Sequence, residues 1–180
     1  LIADDHEIVR RGIRQILTEG FSFVHIGEAT DCPDLIAKAT GEDWDIIISD
    51  IAMPGGGGIA ALNCIKETRP QVPVLILSNY PEEQYAVKMI KAGASGYLCK
   101  DAAPEALVMA VQRILDGKHY ITESVAGNLA IQLQAETGAL PHQLLSEREI
   151  RVFKLLASGK SLSAISNELS LNPTTVSTYR

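Results

Sequence analysis

The sequence has few aromatic residues, few cysteines and no long apolar run. Aromatic side chains make up 5% of its 180 residues, with one tryptophan, so the 46% hydrophobic content predicts an aliphatic core. The three cysteines form no CxxC pair, which favours reduced thiols over a disulfide framework or a metal site. Because no stretch reaches membrane-spanning length and no signal peptide is visible, we expect a cytoplasmic protein that does not contact a membrane.

Charge is distributed unevenly along the chain. The net charge is −6, but residues 1–144 carry 11 basic against 19 acidic residues, whereas residues 145–180 carry 5 against 3. An acidic body with a weakly basic tail suggests a tail that meets an anionic partner. The chain opens on a strand pattern without methionine, so we expect its natural start to lie further upstream.

Five short apolar runs alternate with five amphipathic helical patterns in the first 117 residues. The strands are expected at residues 1–3, 23–26, 46–48, 72–77 and 96–99. The helices are expected at residues 6–17, 34–39, 59–68, 82–92 and 104–115. This alternation predicts an α/β fold with a doubly wound parallel sheet.

Polar residues follow four of the five predicted strands at the point where each strand ends. They are two acids after the first strand, one after the third, a hydroxyl after the fourth and an amine after the fifth: Asp4, Asp5, Asp50, Ser78 and Lys100. The carboxyl ends of parallel strands lie at one edge of the sheet. Clustered carboxylates repel one another unless a cation intervenes, and Mg²⁺ prefers such oxygen ligands. A carboxylate beside Mg²⁺ and a lysine is equipped to attack phosphorus and form an acyl phosphate.

Residues 1–117 resemble the receiver domain of two-component response regulators, which implies a flavodoxin-like sheet of strand order 2-1-3-4-5. The resemblance implies that Asp50 is the phosphoryl acceptor, in a site that also binds Mg²⁺. By the same resemblance Asp5 is a direct Mg²⁺ ligand and Asp4 a water-mediated one, while the main-chain carbonyl of Ala52 completes the protein ligands.

Three further residues match the part of this family that responds to phosphorylation. The resemblance implies that Ser78 is the switch hydroxyl, Tyr97 the rotating aromatic and Lys100 the lysine that accompanies the acceptor. An aspartyl phosphatase or phosphotransferase would need a second catalytic aspartate two residues after Asp50. Ala52 occupies that position, so we do not expect an enzyme.

Residues 118–144 form the predicted linker, with one helix from residue 123 to about residue 136 after Thr122 as its cap. Residues 145–180 then show a different pattern. Ser146 and Glu149 form a capping box, Gly159 ends that helix, and Pro173 suits the first position of a later one. Short helices joined by a tight turn predict a helix-turn-helix, although a small helical interaction module has the same spacing.

The tail also carries the string Leu-Ser-x-Arg-Glu…Leu-x-Ala-x-Gly-x-Ser…Ile-x-x-x-Leu-x-Leu-x-x-x-Thr-Val, which resembles the LuxR-type DNA-binding domain. Together with the receiver-like part, this resembles the NarL/FixJ subfamily. We expect residues 145–180 to be a helix-turn-helix domain that stops within the recognition helix. The candidate DNA contacts are Lys160, Thr174, Thr175, Ser177, Thr178 and Arg180.

The resemblance implies a bacterial transcription regulator that a sensor histidine kinase phosphorylates at Asp50. Its implied partners are the kinase, promoter DNA and RNA polymerase, and it is expected to form a homodimer when phosphorylated. The alternative is a receiver-type protein that acts through protein–protein contacts without binding DNA directly.

Overall fold

The computed structural model describes residues 1–138, with side chains described through residue 132. The chain divides into two compact units, Leu1–Leu129 and Ala130–Arg180. Along the described residues the strands are β1 (Ile2–Ala3), β2 (Glu28–Ala29), β3 (Ile47–Ser49), β4 (Val74–Ser78) and β5 (Gly96–Cys99). The helices are α1 (Glu7–Gly20), α2 (Cys32–Gly41), α3 (Gly58–Thr68), α4 (Glu82–Lys91), α5 (Pro104–Leu115) and α6 (Glu123–Gly138). None of these helices is both long and apolar enough to span a bilayer.

The strands form a parallel sheet in the order β2-β1-β3-β4-β5. This order confirms the predicted doubly wound architecture, in which the chain first moves to one edge and then returns past β1 to the other. The register places Ile2 opposite Ile48 and Ala3 opposite Ser49. The chain therefore leaves β1 and β3 at neighbouring points of the same rim.

The sheet is buried on both faces, because successive residues of each central strand enter different core clusters. Ile47 belongs to the cluster on one face and Ile48 to the cluster on the other, and both are at most 2% exposed. In β4, Ile76 and Leu77 divide in the same way. This burial explains why the strands are continuously apolar, without the alternation of a one-sided sheet.

The second strand lies further along the chain than predicted. Residues 23–26 are not in the sheet, and β2 is Glu28–Ala29, with Ile2 opposite Glu28. Phe23 is fully exposed and Val24 is 41% exposed.

The segment after α5 runs along the free edge of β5. Tyr120 donates its N–H to the Ser95 carbonyl (3.0 Å) and accepts from the N–H of Tyr97 (3.2 Å). The helix expected from residue 123 is present as α6, and the Thr122 hydroxyl accepts from the Val125 N–H at 3.3 Å as its predicted cap. Val125 is 1% exposed in the core, so the start of α6 is packed against the sheet unit.

The loop between β3 and α3 depends on a close backbone approach at Gly58. Its N–H donates to the Ile51 carbonyl at 2.9 Å. A Cβ atom at Gly58 would lie 2.5 Å from the Ile51 Cα, a separation that backbone atoms do not tolerate. Gly55, Gly56 and Gly57 before it all have positive φ values, which a side chain would strain. This loop leads directly from Asp50, so the glycines determine the path of the chain beside it.

The Gly58 contact generates a prediction for stability. Gly58→Ala should lower the free energy of unfolding by about 1–3 kcal/mol, because the added methyl must push Ile51 away. Gly12→Ala is the matched control, since Gly12 lies within α1 with no atom near its missing Cβ. That change should stabilise the protein by about 0.5–1 kcal/mol. Urea unfolding measures both, and equal effects of the two changes would contradict the assigned contact.

Candidate functional site

Three of the predicted side chains meet at the carboxyl rim of the sheet, directly after β1, β3 and β5. Asp4 is 1% exposed and Asp50 is 4% exposed. The Lys100 side chain, which arrives from β5, is 8% exposed. The parallel sheet brings these residues together although Asp4 lies 46 positions before Asp50 and Lys100 lies 50 positions after it.

Lys100 joins the two buried carboxylates. Its Nζ lies 2.7 Å from Asp50 Oδ2 and 2.5 Å from Asp4 Oδ2. Burial of the ammonium opposes its charge, but the hydrogen bonds to Asp4 and Asp50 outweigh that effect and raise the pKa of Lys100. The lysine therefore remains charged, and it compensates carboxylates that would otherwise be buried without a cation.

Backbone groups fix Asp50 on its other sides. Its N–H donates to the Ala3 carbonyl at 2.9 Å, which continues the pairing of β3 with β1. Its Oδ1 accepts from the N–H of Ala52 at 3.2 Å. The carboxylate is therefore held by an ammonium on one oxygen and by a peptide N–H on the other, at the start of the glycine-rich loop.

Asp5 and His6 complete the rim. The Asp5 side chain is 30% exposed, and its Oδ1 lies 2.9 Å from His6 Nδ1. The backbone N–H of His6 donates to Asp4 Oδ1 at 2.8 Å. His6 was not predicted as a site residue, although the sequence carries a signal in its position immediately after the two aspartates.

The donor set at this rim fits a hard divalent cation. One potential ligand atom from each of Asp4, Asp5, His6 and Asp50 lies within 4.8 Å of the others. Asp4 Oδ2 is buried and has no described hydrogen-bond donor apart from the Lys100 ammonium. Three carboxylates facing one ammonium leave negative charge and free lone pairs. Mg²⁺ binds carboxylate oxygen and water in preference to softer ligands, so these residues fit it.

The two predicted switch residues lie behind the rim. Ser78 is fully buried at the end of β4, and its Oγ accepts from the N–H of Tyr80 at 3.2 Å. Tyr97 is 1% exposed, and its hydroxyl donates to the carbonyl of Tyr80 at 2.7 Å. Burial raises the pKa of Tyr97 to about 12. Ser78 and Tyr97 are thus linked through the two backbone groups of a single residue.

The remaining candidates stay predictions. Ala52 is exposed and donates its N–H to Asp50, which leaves its carbonyl as a predicted Mg²⁺ ligand. The six candidate DNA contacts lie outside the described residues: Lys160, Thr174, Thr175, Ser177, Thr178 and Arg180.

Comparison with known protein families agrees with this geometry. Residues 1–112 match the family described as response regulator receiver domain, and residues 143–180 match bacterial regulatory proteins of the luxR family. The chain is a two-component response regulator. It combines a receiver domain with a LuxR-type helix-turn-helix DNA-binding domain, and its family is one of transcription regulators rather than of enzymes.

Two curated response regulators are similar to this chain along its whole length. The chain is 35% identical over 181 residues to the response regulator UvrY of Escherichia coli strain K12, covering all of this chain and 83% of UvrY. It is 33% identical over 181 residues to the response regulator GacA of Pseudomonas aeruginosa, with 100% and 85% coverage.

A solved structure of a relative shows the same fold. RcsB from Salmonella enterica serovar Typhimurium, bound to promoter P1flhDC in the presence of the phosphomimetic BeF3−, is 30% identical to this chain. The TM-score is 0.69, and the match covers 99% of this chain and 86% of RcsB.

The raised pKa of Tyr97 predicts a loss of stability at alkaline pH. Unfolded, this tyrosine loses its proton near pH 10, whereas folded it retains the proton to about pH 12. The folded state therefore binds more protons between these values, and the free energy of unfolding should fall as the pH rises through that window. The pKa of Lys100 is also raised, so deprotonation of this lysine at alkaline pH lowers the free energy of unfolding as well.

The difference between the wild type and Tyr97→Phe isolates the tyrosine. The variant should lose less stability between pH 10 and 12, as measured by urea unfolding at each pH. Tyr80→Phe is the control, because that side chain is 44% exposed. Parallel pH profiles for the wild type and Tyr97→Phe would show that the buried phenol is not responsible.

Proposed function

We propose that Asp50 accepts a phosphoryl group from a histidine of a sensor kinase, and that this modification controls DNA binding by the LuxR-type domain. The observation that carries the proposal is the environment of Asp50. Its carboxylate is buried at the rim, paired with Lys100 at 2.7 Å, and accompanied by Asp4 and Asp5 in an arrangement that fits Mg²⁺.

The transfer is a substitution at phosphorus. A carboxylate oxygen of Asp50 forms the new bond, the phosphorus–nitrogen bond of the donor histidine breaks, and its electron pair remains on the imidazole nitrogen. Lys100 and the N–H of Ala52 already contact the Asp50 carboxylate, so both are placed to stabilise charge on the transferred group. Asp4, Asp5, Asp50 and the Ala52 carbonyl would hold Mg²⁺, which neutralises phosphoryl oxygens when bound.

Ser78 and Tyr97 are proposed to respond to the phosphoryl group. Ser78 lies buried at the neighbouring strand end, where its hydroxyl could donate to a phosphoryl oxygen. The N–H of Tyr80 now donates to that hydroxyl, and the carbonyl of Tyr80 accepts from Tyr97. A movement of Ser78 would therefore change the contacts of both tyrosines.

The regulator is proposed to use residues 1–117 as its receiver, 118–144 as a linker and 145–180 to bind promoter DNA. Mg²⁺ and a sensor histidine kinase would act at the receiver, and RNA polymerase would be contacted at the promoter. Support for a DNA-bound homodimer comes from a relative, since two RcsB dimers have been described bound to two parallel DNAs.

The acceptor assignment predicts the result of phosphorylation by acetyl phosphate with Mg²⁺. The wild type should incorporate phosphate, and Asp50→Asn should abolish incorporation because the nucleophilic oxygen is replaced. Asp45→Asn is the matched control, since Asp45 is an exposed acid just before the same strand. Incorporation by Asp50→Asn at the wild-type rate would place the phosphoryl group elsewhere.

The two aspartates after β1 are expected to differ in their effect on Mg²⁺. Asp5→Ala should weaken Mg²⁺ binding far more than Asp4→Ala, because Asp5 is proposed as the direct ligand and Asp4 already pairs with Lys100. Titration of Mg²⁺ against the backbone amide shifts of residues near Asp50 measures both affinities. Equal effects of the two variants would contradict the proposed division of roles.

The DNA-binding proposal predicts a change in salt dependence. Lys160 is proposed to contact a phosphate, and each such contact contributes roughly 0.9 to the slope of log affinity against log salt. Lys160→Ala should lower affinity for all sequences and flatten that slope by about one unit. Gel shifts with operator DNA and with unrelated DNA at several salt concentrations measure both the affinity and the slope. A loss confined to the operator would mean that Lys160 reads bases, and no binding by the phosphorylated wild type would favour the protein-contact alternative.

A further inference from the structure

Arg10 is a buried arginine close to the carboxylate rim. It lies on the face of α1 that also buries Ile13 and Leu17, and its side chain is 11% exposed. A guanidinium is costly to bury unless its donors are paired. An aliphatic residue would have served the core at this position, so the contacts of the guanidinium require another explanation.

The guanidinium bonds one group directly after β1 and one group in β2. Its Nη1 donates to the main-chain carbonyl of Asp4 at 2.9 Å, and its Nε donates to Glu28 Oε2 at 2.9 Å. Asp4 directly follows β1, and Glu28 begins β2. Arg10 therefore ties the end of β1, where the carboxylates lie, to the neighbouring edge strand.

Glu28 is itself held by a second arginine. Arg14, one turn further along α1, donates to Glu28 Oε1 from Nε at 2.9 Å and from Nη2 at 2.5 Å. The hydrogen bonds from Arg14 and then Arg10 lower the pKa of Glu28. The carboxylate thus remains charged at neutral pH, and both of its oxygens are occupied, so it provides a fixed anchor for Arg10.

The carbonyl that Arg10 contacts determines the direction in which the chain leaves β1. The Asp4 N–H is fixed by the Ala29 carbonyl at 3.2 Å, the last described bond from β1 to β2. The Asp4 carbonyl belongs to the peptide unit that leads into Asp5, so fixing it orients that peptide plane. The carboxylate of Asp4, which accepts from the His6 N–H, is positioned by the same short turn.

We propose that Arg10, anchored by Glu28, is a positioning residue that holds the Asp4–Asp5 peptide in the orientation that Mg²⁺ binding requires. The inference rests on the proposed function of this rim as a Mg²⁺ and phosphoryl site. The described hydrogen bonds of Arg10 go to Glu28 and to the Asp4 carbonyl, and none goes to a carboxylate that is proposed to bind the ion. Arg10 therefore acts through the Asp4 carbonyl. Partners that orient metal ligands typically contribute 10–100-fold to metal affinity.

The sign of the effect separates positioning from simple electrostatics. A positive charge near a cation site repels the cation, so removal of the Arg10 charge alone would strengthen Mg²⁺ binding. Loss of the hydrogen bond to the Asp4 carbonyl would instead release the Asp4–Asp5 peptide and weaken binding. The two explanations predict opposite results for the same substitution.

The test is a Mg²⁺ titration of the unphosphorylated full chain, followed by the backbone amide shifts of His6 and Ala52. Arg10→Met keeps the apolar stem and removes the donors, and it should raise the Mg²⁺ dissociation constant about tenfold, which corresponds to roughly 1.4 kcal/mol. Arg11→Met is the matched control. It removes the same charge from α1, where the Arg11 side chain is 76% exposed and paired with Glu7, and it should change the constant less than twofold.

A second measurement needs no metal. The N–H of His6, which donates to Asp4 Oδ1, should exchange with solvent several-fold faster in metal-free Arg10→Met than in Arg11→Met. If Arg10→Met does not fold, Arg10→Lys provides both measurements. This variant keeps the charge, but the single nitrogen of lysine cannot reproduce the hydrogen bonds of the guanidinium to both Glu28 and the Asp4 carbonyl. Weaker Mg²⁺ binding and faster exchange of the His6 N–H are therefore again expected.

Unchanged or tighter Mg²⁺ binding in Arg10→Met, or wild-type behaviour of Arg10→Lys in its place, would overturn the positioning role. Failure of the proposed function has a different signature. It would appear as phosphate incorporation that survives Asp50→Asn, or as a wild type whose His6 and Ala52 amides do not respond to Mg²⁺. If the wild type does not respond to Mg²⁺, the exchange rate of the His6 N–H still tests the Arg10 contact. An unchanged rate in Arg10→Met would show that this contact does not hold the turn from Asp4 to His6.

Discussion

The ion pairs of Lys100 with Asp4 and Asp50 are the interaction on which the rest of this receiver depends. All three side chains are at least nine-tenths buried, and the two carboxylates come from strands that lie side by side. Loss of one partner from such a buried set typically costs about 3–5 kcal/mol, because a charge is left without compensation. The ends of β1, β3 and β5 must therefore stay in register if the protein is to be stable at neutral pH.

The aliphatic sheet supplies that register. Its strands are only two to five residues long, so the backbone ladder alone offers few hydrogen bonds. Burial on both faces compensates, since neighbouring residues such as Ile47 and Ile48 each fill a different core cluster. A core of branched aliphatic side chains packs closely on a parallel sheet, and it holds the polar rim rigidly at one end.

The same strand that carries Tyr97 also holds the segment leading out of the receiver. The Tyr97 hydroxyl donates to Tyr80 beside Ser78, while its N–H donates to the Tyr120 carbonyl. From Tyr120 the chain continues through Thr122, whose hydroxyl donates to Glu82 at the start of α4 with a 2.7 Å bond. Tyr97 thus connects the end of β4 with the segment after α5, since three hydrogen bonds lead from Ser78 through Tyr80 and Tyr97 to Tyr120.

Local patterns in the sequence were sufficient for most of the fold and for the centre of the site. Each buried strand has a continuous apolar run, and the chain can leave such a strand only where the run stops, so Asp50 and Lys100 could be placed at strand ends without coordinates. The helix at residue 123 was equally predictable, since Thr122 is a local cap. The pattern placed the second strand at residues 23–26, whereas the structure has β2 at Glu28–Ala29.

The sequence by itself therefore determined the parallel α/β class, the strand order by resemblance to a known family, and the identity of the carboxylates and lysine at the rim. Only the tertiary structure decided the register of β2, the pairing of Lys100 with Asp4 across 96 positions, and the contacts of Arg10 with Glu28 and the Asp4 carbonyl. The physical reason is the range of the interactions. Periodicity and capping act within a few residues, whereas the partner of a buried charge is chosen by whichever strand and helix the packed core brings beside it.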